Sequence, residues 1–418
     1  MDQIVKRNKY SRYLSLAFLL LAFIALFWLE SNKARYGMAV SVIQKSLIFS
    51  VVAVSMNLLN GFTGLFSLGQ AGFMAIGAYV TAVLTIPLER VDGVYYMKGL
   101  APWVRSVKEA LSILPEPLLI IFALLVGGFV AGVFAFLIGI PVLRLKSDYL
   151  AIATLGFSEI VRAIISSPQL DQVTNGSYGL KNIPGFGVTK AGGSLPVGTG
   201  SLLIPFMFAF ASIAFIVLVI NSSFGRAFKA IREDEVAAEA MGINLLKHKQ
   251  YAFIISSVIT AMAGGMLAMY MRSIDARAFS VTMTYDILLI VVIGGLGSVT
   301  GSVLGAFIVT FSKDWFLRFF DAPLVIGGFQ VPLLRIGFRM VVFSILLMLV
   351  VLFYRKGLMG SSEFSWGGLI GRFQRRKGRP APEHTVRSHY PDPPPVRPAP
   401  LIPDPPGEKK GEEDGHDK

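Results

Sequence analysis

Long runs of apolar residues alternate with short polar segments over most of the chain. An apolar run of about 20 residues spans the hydrocarbon layer of a bilayer when it forms an α-helix. Basic residues flank many of these runs, as expected at the cytosolic ends of membrane spans. We predict an all-α integral membrane protein, a polytopic bundle of about ten transmembrane helices in contact with membrane lipid, with both termini in the cytosol. The predicted crossings are residues 13–29, 38–59, 70–87, 117–140, 147–165, 202–220, 250–271, 284–296, 300–318 and 335–354.

Three polar segments stand apart from these runs. Residues 166–201 are rich in Gly, Pro, Ser, Thr and Asn and are predicted to form an extracytoplasmic lobe. The charged stretch 221–249 is predicted to be a cytosolic loop. Residues 355–418 are basic and hold 11 of the 22 prolines, a composition that cannot bury a core. We predict a disordered cytosolic tail there, either a Pro-rich docking segment or a solvated extension, and a transmembrane domain over residues 1–354.

Composition narrows the possible functions. Charged residues make up 16% of the chain, against about 25% in a soluble protein. The chain contains no Cys, which excludes disulfides, thiolate metal sites and a cysteine nucleophile. Three of the four His fall in the predicted tail and leave only His248, so we expect no metal site, no cofactor and no enzymatic activity. The net charge of +13 is scattered rather than clustered, which argues against nucleic acid as a partner.

Two apolar segments, residues 56–72 and 293–301, are each interrupted by four glycines. Backbone released from a helix inside a membrane has to be buried in protein or line water. Gly-broken segments in the two halves of a transporter point to its translocation pathway. Close helix packing through small residues accounts for the same pattern, so both interpretations stay open. The candidate pathway residues are Asn57, Asn60, Thr63, Ser67, Gln70, Gly294, Gly295 and Gly297.

Ionisable residues inside predicted spans are costly, so Glu159, Arg162, Asp286 and Arg339 each require a partner or water. Glu159 and Arg162 share one helical face and can neutralise each other, although a direct contact with substrate is the alternative. Asp286 lies near a predicted helix start, where the helix dipole favours an anion, and is assigned to the membrane interface.

The segment from Phe224 to Ile243 is too charged to enter the membrane. Asp234 can cap a helix and Gly242 can end it in the left-handed conformation, which predicts a short helix between them. The alanines of this helix leave part of its surface without large side chains, while the rest of the surface carries charged ones. Such a helix is suited to bind in a cleft of another protein. An ordinary solvated loop is the alternative, and a helix lying on lipid is disfavoured by the acidic residues.

The chain resembles a known family, the M-type permease subunit of branched-chain amino acid ABC importers. The resemblance rests on residues 57–80, 174–180, 183–184, 226–244 and 286–305, and extends in order over about 38–354. It implies an all-helical permease of the bacterial inner membrane that translocates Leu, Ile or Val as its amino-acid substrate. It also implies a second permease subunit, two cytosolic ATPase subunits and an extracytoplasmic substrate-binding protein as partners.

Within that resemblance, the charged segment corresponds to the loop that couples the permease to its ATPase. It is similar to the family's Glu-Ala-Ala…Gly signature, but Val236 separates Glu235 from the alanines and Gly242 lies seven positions after Glu235, where the signature has six. The residues implied to couple are Arg232, Glu235, Ala237, Ala238, Glu239 and Gly242.

The energy source and the solute leave alternatives open. The chain has no Gly-x-x-x-x-Gly-Lys-Ser/Thr phosphate loop, so ATP has to be hydrolysed by a partner. A permease for urea, short amides or other amino acids would show the same pattern. An ion-coupled secondary transporter that uses Asp286 or Glu159 needs no ATPase. A membrane-embedded enzyme is the weakest alternative, because the spans carry no paired-carboxylate or metal-ligand cluster.

Overall fold

The computed structural model describes most of the chain from residue 20 to residue 317 and short pieces beyond it. The described residues are 20–21, 23–33, 35–145, 147–186, 201–317, 325–326, 329–330, 341–345, 348, 352, 357–360 and 363. The predicted spans 13–29 and 335–354 are therefore only partly described. Both chain termini and Arg339 lie outside the described residues, and so does the predicted tail apart from residues 357–360 and 363.

Helices account for nearly all of the regular structure in the described residues. Residues 20–21, 23–31 and 341–345 are helical pieces of partly described helices. The helices with both ends described are α1 Gly37–Asn57, α2 Gln70–Thr85, α3 Leu88–Val94, α4 Pro102–Leu111, α5 Glu116–Val142, α6 Ser147–Ile165, α7 Asp171–Thr174, α8 Leu203–Asn221, α9 Ser223–Glu233, α10 Glu235–Ala240, α11 Leu245–Met271, α12 Val281–Gly294 and α13 Val299–Asp314. A π-helical turn, Leu58–Thr63, continues α1, and the short 3-10 turns are Pro168–Leu170, Gly176–Tyr178 and Ala276–Phe279. Two-residue strands, β1 Val325–Ile326 and β2 Phe329–Gln330, form an antiparallel pair.

The all-helical membrane fold is confirmed, and each predicted crossing from 38–59 to 300–318 coincides with a helix. By length and apolarity, four described helices can cross a membrane: α1 with its π turn, α5, α8 and α11. The number rises to six if two bent pairs each count as one span, namely α2 with α3 (120°) and α6 with residues 168–174 (54°). This count covers the described residues only, so it leaves out the partly described crossings 13–29 and 335–354. Helices α12 and α13, 14 and 16 residues long, meet at a break and are too short to count as full spans.

Helix α11 lies at the centre of the bundle, where it packs against α1, α2 and α5. Small residues allow the closest approaches: a Cβ at Gly77 would collide with the backbone of Ala261, and one at Gly264 with that of Met74. Because the buried polar groups have no water as a hydrogen-bond partner, they form hydrogen bonds between helices. Thr260 Oγ1 donates to Gln70 Oε1 at 2.6 Å. The helices are thus held by shape and by hydrogen bonds, since lipid provides no hydrophobic drive for their association.

The predicted lobe is described from residue 166 to 186, and it folds against the loops at one end of the bundle. Asn175 has a left-handed backbone (φ 56°), and its Nδ2 donates to the carbonyls of Val94 (3.1 Å) and Gly179 (2.7 Å). Leu180 and Ile274 exchange backbone hydrogen bonds of 2.9 and 2.8 Å. The lobe is therefore tied both to the end of α3 and to the segment that follows α11.

A buried lysine caps the C-terminal end of α2. Lys108, on α4, donates from Nζ to the carbonyls of Val83 and Ile86, each at 2.6 Å. These carbonyls belong to the last turn of α2, which lacks partners within the helix. Burial lowers the pKa of Lys108 to about 8.

Candidate coupling site and the glycine-broken segments

Helix α10 is short, and both its ends are built from local hydrogen bonds. Asp234 Oδ1 accepts from the backbone N–H of Val236 (2.9 Å) and Ala237 (3.0 Å). Gly242 has φ +83°, and the N–H groups of Gly242 and Ile243 donate to the carbonyls of Glu239 (2.9 Å) and Ala238 (3.1 Å). This pair of bonds is a Schellman motif. The predicted short helix with an aspartate cap and a glycine stop is confirmed.

The exposed side of this helix is partly apolar. Val236 is 78% and Met241 is 83% exposed, whereas Ala238 is buried against the protein. Ala237 and Glu239 are exposed beside them. Val236 and Met241 are thus two large apolar side chains exposed on an otherwise charged segment.

Glu235 holds α10 to the bundle. Its Oε2 lies 2.7 Å from Nζ of Lys249, a residue of α11 whose side chain is only 10% exposed. Because Glu235 itself remains 53% exposed, solvent screens the pair, and its contribution to stability is modest. The pair links α10 to α11.

Arg232, at the end of α9, contacts both glycine-broken segments. A Cβ at Gly64 (φ +76°) would lie 3.3 Å from the Arg232 Cα. A Cβ at Gly297 (φ +89°) would lie 2.8 Å from Arg232 Nη1. Lys229, one turn earlier, has its Nζ 5.8 Å from the ring centre of Phe62. The structure therefore brings the two broken segments and the charged segment together at one end of the bundle, which the sequence did not reveal.

The two broken segments also interlock directly through Asn57, whose side chain is fully buried. Its Nδ2 donates to the carbonyl of Ser298 and to Oγ of Ser302, both at 2.8 Å. Its Oδ1 accepts from the N–H of Gly297 at 2.8 Å. A Cβ at Gly61 would collide with both Asn57 Oδ1 and the Gly297 nitrogen. The π turn after α1 is thus packed against the break between α12 and α13.

The other pathway candidates from the first broken segment are buried or half-buried and bonded within the chain. Asn60 Oδ1 accepts from the N–H of Ser67 at 3.2 Å, and Ser67 Oγ accepts from the N–H of Gly69 at 3.4 Å. Thr63 Oγ1 donates to the carbonyl of Leu58 at 2.9 Å. Gln70 Nε2 donates to Ser256 Oγ at 3.3 Å in the polar cluster of the bundle. Their assignment to a pathway stays a prediction.

The glycines of the second broken segment make close backbone contacts. A Cβ at Gly294 would collide with Gly301, and one at Gly301 would collide with Gly294, so α12 and α13 meet without side chains between them. Gly295 has φ +113° and lies against the backbone of Gly360. Close packing, one of the two interpretations of the glycine pattern, is therefore present in this conformation.

The costly charges predicted in the spans have partners where they are described. Arg162 Nη2 lies 2.6 Å from Glu159 Oε2, and both side chains are 34% exposed. Asp286 Oδ2 lies 2.6 Å from Nζ of Lys313 on α13. The sequence did not identify Lys313, because the two residues are joined only by the antiparallel packing of α12 and α13. Among the described residues, no group of three or more His, Asp or Glu side chains is placed to hold a metal ion.

A sequence profile described as "Branched-chain amino acid transport system / permease component" matches residues 38–353. The chain belongs to this permease family. It is 31% identical over 315 residues to the high-affinity branched-chain amino acid transport system permease protein LivM of Salmonella typhimurium, covering 70% of this chain and 67% of LivM. The corresponding LivM of Escherichia coli is 30% identical over 314 residues, with the same coverage.

A second type of permease is also similar to the chain. A probable branched-chain amino acid transport permease protein LivH of Methanocaldococcus jannaschii is 26% identical over 205 residues, 47% of this chain and 62% of LivH. No solved structure matches the chain. The permease family match ends at residue 353, so residues 357–360 and Glu363, which contact the second broken segment, lie beyond it.

Proposed function

We propose that the chain is a membrane-spanning subunit of an ABC importer that translocates Leu, Ile or Val across the bacterial inner membrane. ATP is hydrolysed by partner ATPase subunits and not by this chain. The family membership supports the transport role and the substrate class. The observation that carries the proposal is Arg232, which joins the exposed helix α10 to both glycine-broken segments.

Helix α10 is the proposed docking site for an ATPase subunit. Val236 and Met241 are held out into solvent by a helix whose two ends are fixed by Asp234 and Gly242. Burying a large apolar side chain in a partner contributes about 1.5–3 kcal/mol. The preformed helix lowers the ordering cost of binding, and Glu239 adds a charge at the rim of the surface.

Helix α6 is the proposed contact with a second permease. Ile152, Gly156 and Ile160 form an exposed stripe along it, and a Cβ at Gly156 would meet nothing within 4 Å. The partly exposed ion pair of Glu159 and Arg162 borders this stripe. Ion pairs facing lipid are costly, whereas a protein partner or a water-filled path between two subunits accommodates them. The existence of LivH-type relatives supports a second, different permease in the complex.

The proposed mechanism is alternating access. Closure of the ATPase pair on ATP would displace α10, and Arg232 would pass the displacement to Gly64 and Gly297. The contacts of Asn57 with Gly297 and Ser298 would then be exchanged as the inner and outer mouths change accessibility. A substrate-binding protein would deliver the amino acid from outside. The hydroxyl and amide groups of Asn57, Asn60, Thr63, Ser67 and Gln70 would provide the few polar contacts along an otherwise apolar path.

Reconstitution of the chain with the second permease, both ATPase subunits and the binding protein tests this function. We expect uptake of labelled leucine into proteoliposomes that requires ATP and every subunit, with competition by isoleucine and valine. Leucine uptake by this chain alone would overturn the proposal. If urea or short amides compete for uptake and leucine analogues do not, the substrate class is urea or short amides and not branched-chain amino acids.

The docking site has a matched pair of variants. Met241→Asp puts a charge on the proposed ATPase surface, whereas Met97→Asp puts one on a methionine that is 60% exposed in the loop between α3 and α4. We expect Met241→Asp to abolish copurification of the ATPase and Met97→Asp to leave it intact. Equal copurification with both variants would contradict docking at α10.

A further inference from the structure

A short segment beyond the family match lies on the break between α12 and α13. This segment, residues 357–360 with Glu363, is called the strap here. The N–H of Leu358 donates to the carbonyl of Ile293 at 2.7 Å, and that of Met359 donates to the carbonyl of Gly294 at 3.2 Å. Both carbonyls belong to the last turn of α12, where intrahelical partners are missing. The strap thus closes the end of α12.

Glu363 closes the beginning of α13. Its Oε1 accepts from the N–H of Val299 at 2.7 Å. Its Oε2 accepts from the N–H of Thr300 at 3.1 Å, from Thr300 Oγ1 at 2.8 Å and from Ser298 Oγ at 3.4 Å. Ser298 Oγ accepts from the N–H of Gly301 at 3.1 Å, so the two side chains together satisfy three donors of the first turn. A carboxylate at this position also interacts favourably with the helix dipole.

The break is therefore held from two sides. Asn57 and Arg232 contact Gly297 on one side, and the strap contacts Ile293, Gly294 and the start of α13 on the other. Any displacement that Arg232 transmits to the break has to act against the bonds of the strap. The strength of those bonds then determines how much of the displacement reaches α12 and α13.

We propose that Glu363 is a positioning residue of the transporter, which latches the strap onto α13 and sets the position of the break against Arg232. This role rests on the proposed function, because it concerns the response of the break to the coupling segment. The latch itself is a property of the chain alone. It acts through backbone groups of the break and needs no contact with substrate or ATPase.

The absence of cysteine allows a direct measurement of the latch. Leu296 lies in the break and is 40% exposed, so Leu296→Cys provides a single thiol there. The full chain carrying this substitution is placed in nanodiscs and labelled with a membrane-impermeant maleimide. We expect Glu363→Ala to raise the labelling rate about fivefold, because losing charge-assisted hydrogen bonds favours local opening. The control is Asp92→Ala, which removes an exposed carboxylate from helix α3, and we expect it to leave the labelling rate unchanged.

A second variant removes one of the hydrogen bonds of Glu363 by changing its donor on α13. Val299→Pro deletes the N–H that donates to Glu363, and proline is favoured at the first position of a helix. Ser298 has φ −122° and ψ 119°, which is compatible with a following proline. We expect a smaller rise in labelling than for Glu363→Ala. The double variant should label no faster than Glu363→Ala, since the bond that Val299→Pro removes is already absent in Glu363→Ala.

Two results would overturn the latch: labelling of Glu363→Ala at the parental rate, or full additivity of the two changes. Glu363→Gln keeps the shape and one acceptor, so an intermediate rate distinguishes a latch from general loss of folding. In the reconstituted importer we expect Glu363→Ala to lower the number of leucine molecules imported per ATP while the detergent melting temperature stays near the parental value. Failure of the parental importer to carry leucine would count against the proposed function and not against the labelling result.

Discussion

The guanidinium of Arg232 lies against Gly297, with Nη1 2.8 Å from the position that a Cβ would take at that glycine. The N–H of the same glycine donates to Asn57 at 2.8 Å. A single backbone position thus contacts the charged segment on one side and the end of α1 on the other. We expect substitutions around it to separate folding from coupling.

Gly297→Ala should impair transport strongly. The new methyl group would displace Arg232, and alanine at φ +89° costs about 1–2 kcal/mol. An equal rise in the transport barrier corresponds to about a tenfold loss of ATP-driven uptake. Gly93→Ala in α3 is the control, since its Cβ would meet nothing within 4 Å and its φ is ordinary. Parental uptake with Gly297→Ala would show that this contact is dispensable.

Asn57→Leu should lower the stability of the protein. It removes three hydrogen bonds and leaves the N–H of Gly297 buried without its partner, at a cost of about 1–3 kcal/mol. Ser302→Ala removes only one of these bonds and should cost less. Melting temperatures of both variants in detergent measure the difference. A Ser302→Ala protein that melts below Asn57→Leu would contradict the central role of the amide.

Gly242→Val should disturb coupling more than folding. The residue has φ +83° and open space around its Cβ position, so the substitution strains the backbone by about 1–2 kcal/mol without a collision. Gly99→Val is a close match, with φ +69° and equally open space in the loop between α3 and α4. We expect both proteins to insert and melt alike, while only Gly242→Val loses ATPase copurification. Loss in both would point to a general folding defect.

The stability of the protein should depend on pH through Lys108. Burial lowers the pKa of this lysine to about 8 in the folded protein, below its unfolded value of 10.5. Between these values the unfolded chain binds the proton and the folded one does not, so the free energy of unfolding rises with pH. Melting temperatures at increasing pH across this window measure the effect. Lys108→Met should remove this component, and an identical pH profile in both proteins would refute it.

Local features of the fold could be predicted from the sequence. The helix ends at Asp234 and Gly242 follow from short-range backbone chemistry, because a cap and a left-handed stop act within a few residues. The pair of Glu159 and Arg162 follows from the helical repeat for the same reason. The helices themselves follow from long apolar runs, and the break at Gly295 and Gly297 lies at the junction of two predicted crossings.

Contacts between distant segments could not be predicted. Lys313 pairs with Asp286 only because α12 and α13 pack antiparallel. Glu363 reaches α13 from a segment whose own residues carry no motif. Hydrophobic periodicity indicates which side of a helix is apolar but not which helix packs against that side. The partners of Asp286 and of the first turn of α13 therefore cannot be predicted from the sequence.

The sequence alone determined that this chain is a helical membrane protein and that it resembles importer permeases. It also determined that a charged loop contains a short capped helix. These properties depend on residues close together in the chain and on the length of apolar runs. Only the tertiary structure decided that Arg232, Gly64, Gly297 and Asn57 meet, and that the strap closes the break from the other side. The physical reason is that these contacts arise from close approach of backbones at glycine, which depends on how whole helices are packed.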